Sequence, residues 1–360
     1  MTDWDNHPTV RLLTDLLTIP APSGREERMA EAVMLYISDL GHTPQIDLQG
    51  NVWVEIEGAD PSLGKAALAS HTDELAMVVT VINPDGTLQI TRSGGLHPWK
   101  LGEGPVEIVC DGPDTVPAHL SFGSGHTQDP TDPITQFATG AKGITWPHAH
   151  LITGLSPAQL ADLGVRVGST AVPAASVRGP NLFGPEDDPL LSAWILDNRG
   201  GTLTLLRLLE RITTEDLKPA RTTCLCFMVQ EECGLIGAKG WASRNRPEIF
   251  IAVDSSPMPK NIHLTLDGRP AAWSKDSSLH FDQAITRDLA SAAQRAGTDL
   301  QYAVYDRAAS DASGVLQSGL APRCATIGYP RENSHGYEVT RLSVFDNLVN
   351  TLFEFLAHLE

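Results

Sequence analysis

The chain has 360 residues, of which 41% are hydrophobic and 19% are charged, so its composition is that of a globular protein and excludes a disordered one. Its 26 basic and 44 acidic residues give a net charge of −18 at pH 7, so it repels nucleic acid and anionic lipid, and we expect neither as a partner. No apolar run approaches the ~18 residues of a membrane span, and the acidic start MTDWDNHPTV lacks the basic-then-apolar order of a signal peptide, so we expect no membrane insertion and a cytoplasmic location.

The first part of the chain is predicted to combine helices with short strands. The predicted elements are helices at 8–18 and 24–40 and strands at 51–58 and 65–70. The second helix is expected to begin with a capping box, because Ser23 is followed three places later by Glu26. The second strand leads directly into the sequence HTDE.

From Met77 to Pro180 the sequence becomes rich in Gly, Pro, Thr and Val. Short runs such as VVTVI and VEIVC are typical of strands, and NPDG, DGPD and DPTDP are turn signals. This part of the chain is therefore predicted to be a small all-β unit. Its segment 124–150, rich in Gly, Pro and His, is expected to be a loop.

After residue 180 strands and helices alternate again. The predicted strands are 221–229, 249–254, 302–306 and 324–330, and the predicted helices follow Gly201, lie near 281–296 and 310–317, and begin at about 342. Such alternation indicates a mostly parallel sheet covered by helices on both faces. We therefore predict an α/β domain made of residues 1–76 and 181–360, interrupted by a β-rich insert at 77–180.

The five cysteines are scattered and odd in number, which argues against a disulfide framework. Cys224 and Cys226 lie two residues apart in a predicted strand and so share one of its faces. We expect both to be buried small hydrophobic residues rather than a metal-binding or redox pair.

Histidines and carboxylates follow five of the predicted strands. They are His71 and Asp73 after ALAS, Asp197 after SAWIL, Glu231 and Glu232 after CFMV, Asp254 after FIAV, and His335 beyond ATIGYP. Ligands of open α/β sheets bind at the carboxyl ends of the strands, so we expect these side chains to meet at one sheet edge. Glu231 and Glu232 are adjacent, and adjacent residues in extended chain point in opposite directions, so each should have its own task.

Each of these residues also has a simple structural explanation. Asp197 could be a helix N-cap, Asp254 could form an Asx turn, and a single histidine is commonly a hydrogen-bonded polar residue. Together, however, five acids and two histidines at one edge would repel one another unless a cation lay among them. A mixed set of histidines and carboxylates suits zinc, cobalt or manganese, and seven such residues exceed one tetrahedral shell, so two metal ions are predicted.

The motifs HTDE, LDNRGG, VQEECGLIGA, AVDSS and NSHGYE, with IPAPSG near the start, resemble those of the M42 metallo-aminopeptidases, a family of the co-catalytic dizinc exopeptidase clan. The resemblance covers nearly the whole chain. It implies a dizinc exopeptidase-like α/β fold, with a mostly parallel central sheet flanked by helices and an inserted small β-barrel domain. It also implies a dinuclear metal-dependent aminopeptidase that acts on peptides with a free N-terminus.

The same resemblance implies a role for each site residue. It assigns metal ligation to His71, Glu232, Asp254 and His335, metal bridging to Asp197, orientation of the His71 imidazole to Asp73, and general-base catalysis to Glu231. The implied cofactors are two divalent metal ions per subunit, Zn²⁺ first and Co²⁺ or Mn²⁺ as alternatives. The insert matches the position of the family's dimerisation domain, so a homo-oligomer is expected, from a dimer up to a tetrahedral dodecamer.

The sequence departs from the family pattern in its last motif. PRENSHGYE stands where the family commonly has a basic–aromatic pair and HSP. With SKDSS (274–278) and ASDAS (309–313), this motif indicates a subgroup that acts on unusual substrates. Asp311 resembles a family-typical acid near the substrate pocket, and it is equally explained as an acid at a helix start.

Two other functions remain open on the sequence. An amide hydrolase of a small N-blocked or carboxamide peptide-like solute would use the same chemistry, and a catalytically silent scaffold would keep the fold and assemble. The intact Glu231 and the full ligand set argue against the silent scaffold. A cellulase would need a positioned carboxylic acid/base pair, whereas the acids here are accompanied by histidines.

Overall fold

A computed structural model describes residues 4–60, 62–140 and 142–359. The strands are β1 (Gln45–Ile46), β2 (Val52–Ile56), β3 (Ala66–His71), β4 (Ala76–Ile82), β5 (Leu88–Ser93), β6 (Gly104–Val109), β7 (Thr115–Ser121), β8 (His150–Ile152), β9 (Thr170–Pro173), β10 (Asn181–Phe183), β11 (Leu190–Trp194), β12 (Thr223–Met228), β13 (Ile249–Pro257), β14 (Ala271–Lys275), β15 (Gln301–Val304), β16 (Arg323–Arg331) and β17 (Tyr337–Arg341). The helices are α1 (Pro8–Leu17), α2 (Glu27–Asp39), α3 (Pro98–Leu101), α4 (Pro133–Ala138), α5 (Pro157–Asp162), α6 (Leu196–Thr214), α7 (Ile236–Asn245), α8 (Gln283–Arg295), α9 (Asp311–Gln317) and α10 (Ser343–His358). None of the helices in these ranges has the length and apolar character that spanning a membrane requires.

The centre of the fold is an eight-stranded sheet with the strand order β1-β2-β12-β3-β13-β16-β14-β15. Its four middle strands, β12, β3, β13 and β16, are parallel to one another, and the antiparallel pairings lie toward the two edges. Helices α6 and α10 cover one face, and α7 and α9 cover the other. A separate three-stranded sheet contains β10, β11 and β17. The predicted α/β class with a largely parallel centre is confirmed.

Strand β12 shows how the sequence produces these two layers. Leu225 and Phe227 belong to the hydrophobic core on the α6 face, whereas Cys224, Cys226 and Met228 belong to the core on the α7 face. The division follows from the alternation of side chains along a strand. Both cysteines are buried and free, so the prediction that they are small hydrophobic residues is confirmed.

Six strands close into a barrel in the order β4-β5-β8-β7-β6-β9. Buried aliphatic side chains, among them Leu88, Ile108 and Leu151, form its interior. All six strands lie between Ala76 and Pro173, within the sequence that separates β3 from β11. The predicted small β-barrel inserted into an α/β domain is therefore confirmed.

The prediction that 124–150 is a loop is partly wrong. Helix α4 and a 3₁₀ turn at Trp146–His148 form inside this segment. The Asp132 carboxylate accepts a hydrogen bond from the Ile134 N–H at 2.8 Å and so caps α4, which offsets the poor helix propensity of the surrounding residues.

The predicted capping box at the start of α2 is also wrong. The Ser23 hydroxyl donates instead to Asp73 Oδ2 at 2.6 Å. The Glu26 carboxylate accepts hydrogen bonds from the Gly24 N–H at 2.9 Å and the Gln230 N–H at 3.1 Å. Contacts with distant segments therefore replace the local reciprocal cap, because both partners of the expected box are used elsewhere.

A buried group of three charged side chains joins segments that are far apart in the sequence. Glu74 Oε1 lies 3.1 Å from Arg178 Nη1 and 3.3 Å from Arg199 Nη2, and all three side chains are fully buried. The same oxygen accepts a hydrogen bond from the Ala21 N–H at 2.8 Å. Because Arg178 follows the barrel and Arg199 lies in α6, one carboxylate holds the end of the barrel sequence against the sheet domain.

Replacing this carboxylate should destabilise the protein strongly. Glu74→Gln leaves the buried Arg199 guanidinium without its carboxylate partner and leaves Arg178 with only Glu107, at 3.5 Å, and we expect a loss of about 3–5 kcal/mol in the free energy of unfolding, measured by chemical denaturation. The control is Glu215→Gln, which breaks an exposed pair with Arg211 at 2.7 Å and should cost less than about 1 kcal/mol. Equally small losses for the two variants would contradict the role given to Glu74.

Candidate metal centre

One cavity of about 1110 Å³ brings together the side chains predicted to form a metal site. Its lining includes six of the predicted residues, which are His71, Asp197, Glu231, Glu232, Asp254 and His335. The remaining residue, Asp73, lies beside His71, with its Oδ1 3.4 Å from His71 Nδ1. The structure thus brings the whole predicted set together, while the role of each member stays a prediction.

His71, Asp197 and Asp254 form one group of candidate ligand atoms, which all lie within 4.8 Å of one another. His71 Nε2 is 3.2 Å from Asp197 Oδ1 and 4.0 Å from Asp254 Oδ1. His71 ends β3 and Asp254 lies in the neighbouring parallel strand β13, so the sheet itself places the imidazole beside the carboxylate. All three side chains are buried, which strengthens every electrostatic interaction among them.

Asp197, Glu232 and His335 form a second group within the same spacing. His335 Nε2 lies 3.8 Å from Asp197 Oδ2, whereas His71 contacts the other oxygen of that carboxylate. Glu232 Oε1 is buried and has no hydrogen-bond partner among the described residues. The two groups share Asp197, so one carboxylate lies between two candidate cation positions. A third group, made of His71, Glu231 and Glu232, overlaps both.

Asp73 holds both the imidazole and the turn that carries the two glutamates. Its Oδ1 accepts a hydrogen bond from the Glu231 N–H at 2.9 Å, and its Oδ2 accepts one from the Glu232 N–H at 3.2 Å. The same carboxylate lies against His71 Nδ1, so Nε2 is the ring nitrogen directed toward the other acids. One buried acid therefore fixes the imidazole orientation and links β3 to the turn after β12.

The barrel sequence positions His335. The Gly95 carbonyl oxygen lies 3.2 Å from His335 Nδ1 and accepts its hydrogen bond. The other ring nitrogen, Nε2, is therefore unprotonated in the neutral ring and faces Asp197. Residue 95 has no room for a side chain, because a Cβ there would lie 2.9 Å from Nδ1 of this ring. Gly95 follows β5, so the insert forms part of the site.

Sequence reasoning missed two residues of the site, Arg331 and Glu338. Glu338 accepts hydrogen bonds from the Asp197 N–H at 2.8 Å and the His335 N–H at 2.9 Å. Arg331 donates to Asp197 Oδ2, and its Nη1 lies 2.7 Å from Glu338 Oε1. Both are buried charged residues within strands, and a charge at an otherwise apolar strand position was the available signal.

The structure excludes the simple explanations for Asp197 and Asp254. The backbone of α6 is not helical at Asp197 and Asn198, and the regular helix after this kink is capped by Asn198, whose Oδ1 accepts a hydrogen bond from the Gly201 N–H at 2.9 Å. Asp254 is not in an Asx turn, because β13 continues in register with β16 as far as Pro257. The expectation of a single sheet edge is corrected as well: Asp197 follows β11, which belongs to the three-stranded sheet.

Burial and mutual repulsion raise the pKa of most of the clustered carboxyl groups. Burial, with the charge of Asp197, raises the pKa of Asp254 to about 7 and that of Glu232 well above its ordinary value. Burial also raises the pKa of Glu231. For Asp197 burial acts in the same direction, but the Arg331 guanidinium outweighs it and lowers the pKa. Acids that keep protons near neutral pH can exchange them for a multivalent cation, so the donor set fits metal binding.

Asp311 is a further buried acid close to this cluster. It is the first residue of α9, but the cap is formed by Ser310 and Ser313, so Asp311 is not the capping residue. Its Oδ1 has no hydrogen-bond partner among the described residues. Burial raises its pKa to about 8, and the charges of Asp73 and Asp254 act in the same direction.

The metal-free protein should lose stability as the pH rises from 5 toward 8.5. The folded-state pKa values of Asp254 and Asp311, about 7 and about 8, exceed the ordinary carboxyl value of about 4, so folding takes up protons at these groups. Their contribution to stability is complete below pH ~4 and is lost as the pH rises through 7 and 8. Melting temperatures of chelator-treated protein across this range measure the effect.

Two comparisons isolate the cause of this pH dependence. Zn²⁺ should flatten the curve, because the cation replaces the protons, and Asp254→Asn should reduce its slope without metal, because one of the titrating groups is removed. A melting temperature of the metal-free protein that rises over this interval, in wild type and variant alike, would overturn the electrostatic account.

The chain resembles known proteins along most of its length. The model of the M42 glutamyl aminopeptidase family matches residues 50–350. A glutamyl aminopeptidase of Lactococcus lactis is 28% identical over 263 residues, and a lysyl aminopeptidase of Pyrococcus furiosus is 24% identical over 262 residues. These matches cover 69% and 71% of this chain and 66% of each relative, so the chain spans just under two thirds of their length.

A solved structure of similar fold is the TET1 peptidase of Pyrococcus horikoshii, which can assemble into a tetrahedron or a large octahedral shell. It superimposes with a TM-score of 0.84 at 22% sequence identity, over 98% of this chain and 100% of that one. At this level of identity the comparison establishes a shared fold.

Proposed function

The chain belongs to the M42 glutamyl aminopeptidase family, and we propose that it is a two-metal aminopeptidase that removes residues from the free N-terminus of peptides. The observation that carries the proposal is the pair of ligand groups that share Asp197. The named relatives include a glutamyl and a lysyl aminopeptidase, so membership supports the reaction and not one particular first residue.

In this proposal His71 and Asp254 hold one divalent ion, Glu232 and His335 hold the other, and Asp197 lies between them. The unpartnered Glu232 Oε1 supports this assignment, because a cation would compensate an otherwise unsatisfied buried oxygen. The mixture of imidazole and carboxylate ligands suits Zn²⁺, with Co²⁺ or Mn²⁺ as alternatives. When bound, two such ions lower the pKa of a water molecule and polarise the scissile carbonyl.

Glu231 is the proposed general base. Its side chain is only 10% exposed and lines the cavity, with Oε2 3.9 Å from His71 Nε2. It accepts the proton of the attacking water and then donates that proton to the leaving amine. A pKa raised by burial suits both steps, since the group must hold the proton between them. Asp73 is a positioning residue here, because it acts through the Glu231 N–H.

The cavity suits the amino end of a peptide. The carboxylates Glu231, Glu232 and Asp254 line it and attract the positive charge of a free α-amine. Its volume of about 1110 Å³ exceeds that of a pocket for a single small ligand, so the first residues of a peptide fit inside. A substrate that lacks the amine would lose this electrostatic contact.

Separate glutamine variants should distinguish the two adjacent glutamates. Glu231→Gln should keep its metal content and lose at least ~10²–10⁴-fold in kcat, with little change in KM, because it removes only the base. Glu232→Gln should lower the occupancy of one metal position, and excess metal should restore part of its activity. Metal analysis beside kinetics on aminoacyl anilides, with chelated and reconstituted wild type as references, measures both effects.

Several results would change these assignments. Loss of metal in Glu231→Gln but not in Glu232→Gln would reverse the two roles, and full activity of chelated wild type would remove the metals from the reaction. Faster turnover of an N-acetylated substrate than of its free-amine counterpart would favour the amide hydrolase. No turnover of either substrate, with both metals bound, would favour a silent scaffold.

We further propose that residues 77–180 act as a dimerisation domain, while 1–76 and 181–360 carry the reaction. Exposed aliphatic side chains on the insert support this division, among them Ile152 in β8 and Val167 just before β9, which are 45% and 57% exposed. Covering these side chains with a second subunit would remove their apolar surface from water, which favours association. The assembly of the TET1 peptidase into a tetrahedron or a large octahedral shell supports a homo-oligomer.

Light scattering should therefore give a mass well above one subunit of 38.7 kDa. Val167→Asp adds a charge to the insert surface and should lower that mass. The control Leu35→Asp changes a somewhat more exposed aliphatic residue of α2, outside the insert, and should leave the mass unaltered. A monomeric wild type at micromolar concentration with metal present would contradict the proposed assembly.

A further inference from the structure

Lys100 is a cation that the insert places in the same cavity as Glu232 and His335. It lies in α3, and its Nζ donates a hydrogen bond to Asn333 Oδ1 at 2.6 Å. Within the described part of the chain it forms no salt bridge, so a neutral amide is its hydrogen-bonding partner. Two of the three ammonium donors are therefore free to bind a ligand.

The motif that departs from the family pattern positions this lysine. Asn333 Nδ2 donates to the Tyr337 carbonyl at 2.7 Å, which directs Asn333 Oδ1 toward Lys100. Gly336 leaves space for the aliphatic part of Lys100, because a Cβ at this position would lie 3.2 Å from Lys100 Cδ. Asn333 and Gly336 both belong to PRENSHGYE. The unusual motif thus has a specific physical effect, which is to hold a cation in the cavity.

We propose that Lys100 is a specificity-determining residue that binds a carboxylate of the substrate. The inference rests on the proposed function, since a peptide offers this chemistry in two places. Every peptide has a C-terminal carboxylate, which lies near the reacting bond only when the peptide is short, and some peptides have an acidic first side chain. Either group would complement Lys100 while the α-amine lies among the carboxylates of the metal centre.

The environment of Lys100 favours this binding role over a structural one. A lysine that only stabilises the fold gains most from a carboxylate partner in the protein, whereas Lys100 has an amide partner and stacks over the Trp99 ring at 5.3 Å. Burial lowers the pKa of its ammonium, a cost that a bound anion would offset. Lys260 and Arg307 line the same cavity but are exposed, so their charges are held less firmly than that of Lys100.

Two substrate pairs test the proposal and separate the two sources of the carboxylate. Leucylglycine is compared with its C-terminal amide, and a glutamyl anilide is compared with a glutaminyl anilide. Lys100→Met should reduce the preference for the charged member of one pair by about 10-fold, the size of one charge-assisted hydrogen bond. The change should lie in KM rather than kcat, because the contact is made equally before and during reaction. The pair that responds identifies the group that Lys100 binds.

Matched variants show whether the charge itself is responsible. Lys100→Arg should retain part of the preference, and Asn333→Ala should lose part of it, because the ammonium is no longer held in place. Lys218→Met removes an equal charge from an exposed position before β12, at the opposite end of the parallel strands, and should leave both preferences unaltered. Melting temperatures check that each variant is folded.

The two proposals fail in different ways. Calorimetric titration of the Glu231→Gln variant with leucylglycine and its amide, and of the wild type with glutamate and glutamine as ligands, gives the same preferences without significant turnover. If reconstituted wild type cleaves none of the substrates, the aminopeptidase proposal fails and the binding ratios alone decide the role of Lys100. If Lys100→Met is folded and alters no preference, in turnover or in binding, Lys100 does not bind a substrate carboxylate.

Discussion

The structure depends on burying several carboxylates within a few ångströms of one another. Glu231, Glu232 and Asp254 all face one cavity, and burial raises the pKa of each. Like charges at this spacing are costly in a medium of low polarity, and each acid can lower the cost by binding a proton or a cation. The fold must therefore hold these side chains rigidly against their own repulsion, and much of the surrounding hydrogen bonding serves that purpose.

Two other acids provide most of this rigidity. Asp73 accepts the N–H groups of Glu231 and Glu232 and lies against His71, while Glu338 accepts the N–H groups of Asp197 and His335. Each of these buried acceptors thus connects two segments that are far apart in the sequence. The oxygens of Asp73 and Glu338 accept hydrogen bonds from backbone N–H groups. These two acids are therefore held in place and do not compete with the cavity-lining acids for a cation. The acids that face the cavity and the acids that position them therefore have different partners and separate tasks.

The sequence was sufficient to predict the fold class and the seven side chains that the structure brings together, because both depend on local patterns. Cys224 and Cys226 alternate with apolar residues along one strand, and His71 and Glu232 occur in compact motifs at strand ends. The capping box predicted at Ser23 was wrong because its hydroxyl donates to a distant acceptor, Asp73, which a local pattern does not reveal.

Arg331 and Glu338 were missed for a related reason. Glu338 reaches Asp197 only because β17 pairs with β11, in a register that sets Glu338 opposite Ala193. Such pairings between distant strands leave no periodic trace in a single sequence. The position of Asp197 in the three-stranded sheet, rather than at the edge of the main sheet, was unpredictable on the same grounds.

The contact between the Gly95 carbonyl and His335 limits how freely the barrel can be exchanged during evolution. An inserted domain that only mediated assembly could be exchanged between relatives without affecting the chemistry. Here the insert supplies the acceptor that orients His335 and leaves no space for a side chain beside its ring. A recombinant that received a foreign barrel would need a backbone carbonyl equally close to the His335 ring at this position, and no side chain there. The barrel and the α/β part of the chain are therefore constrained to evolve together along the sequence that follows β5, and the buried aliphatic side chains of both belong to one continuous core.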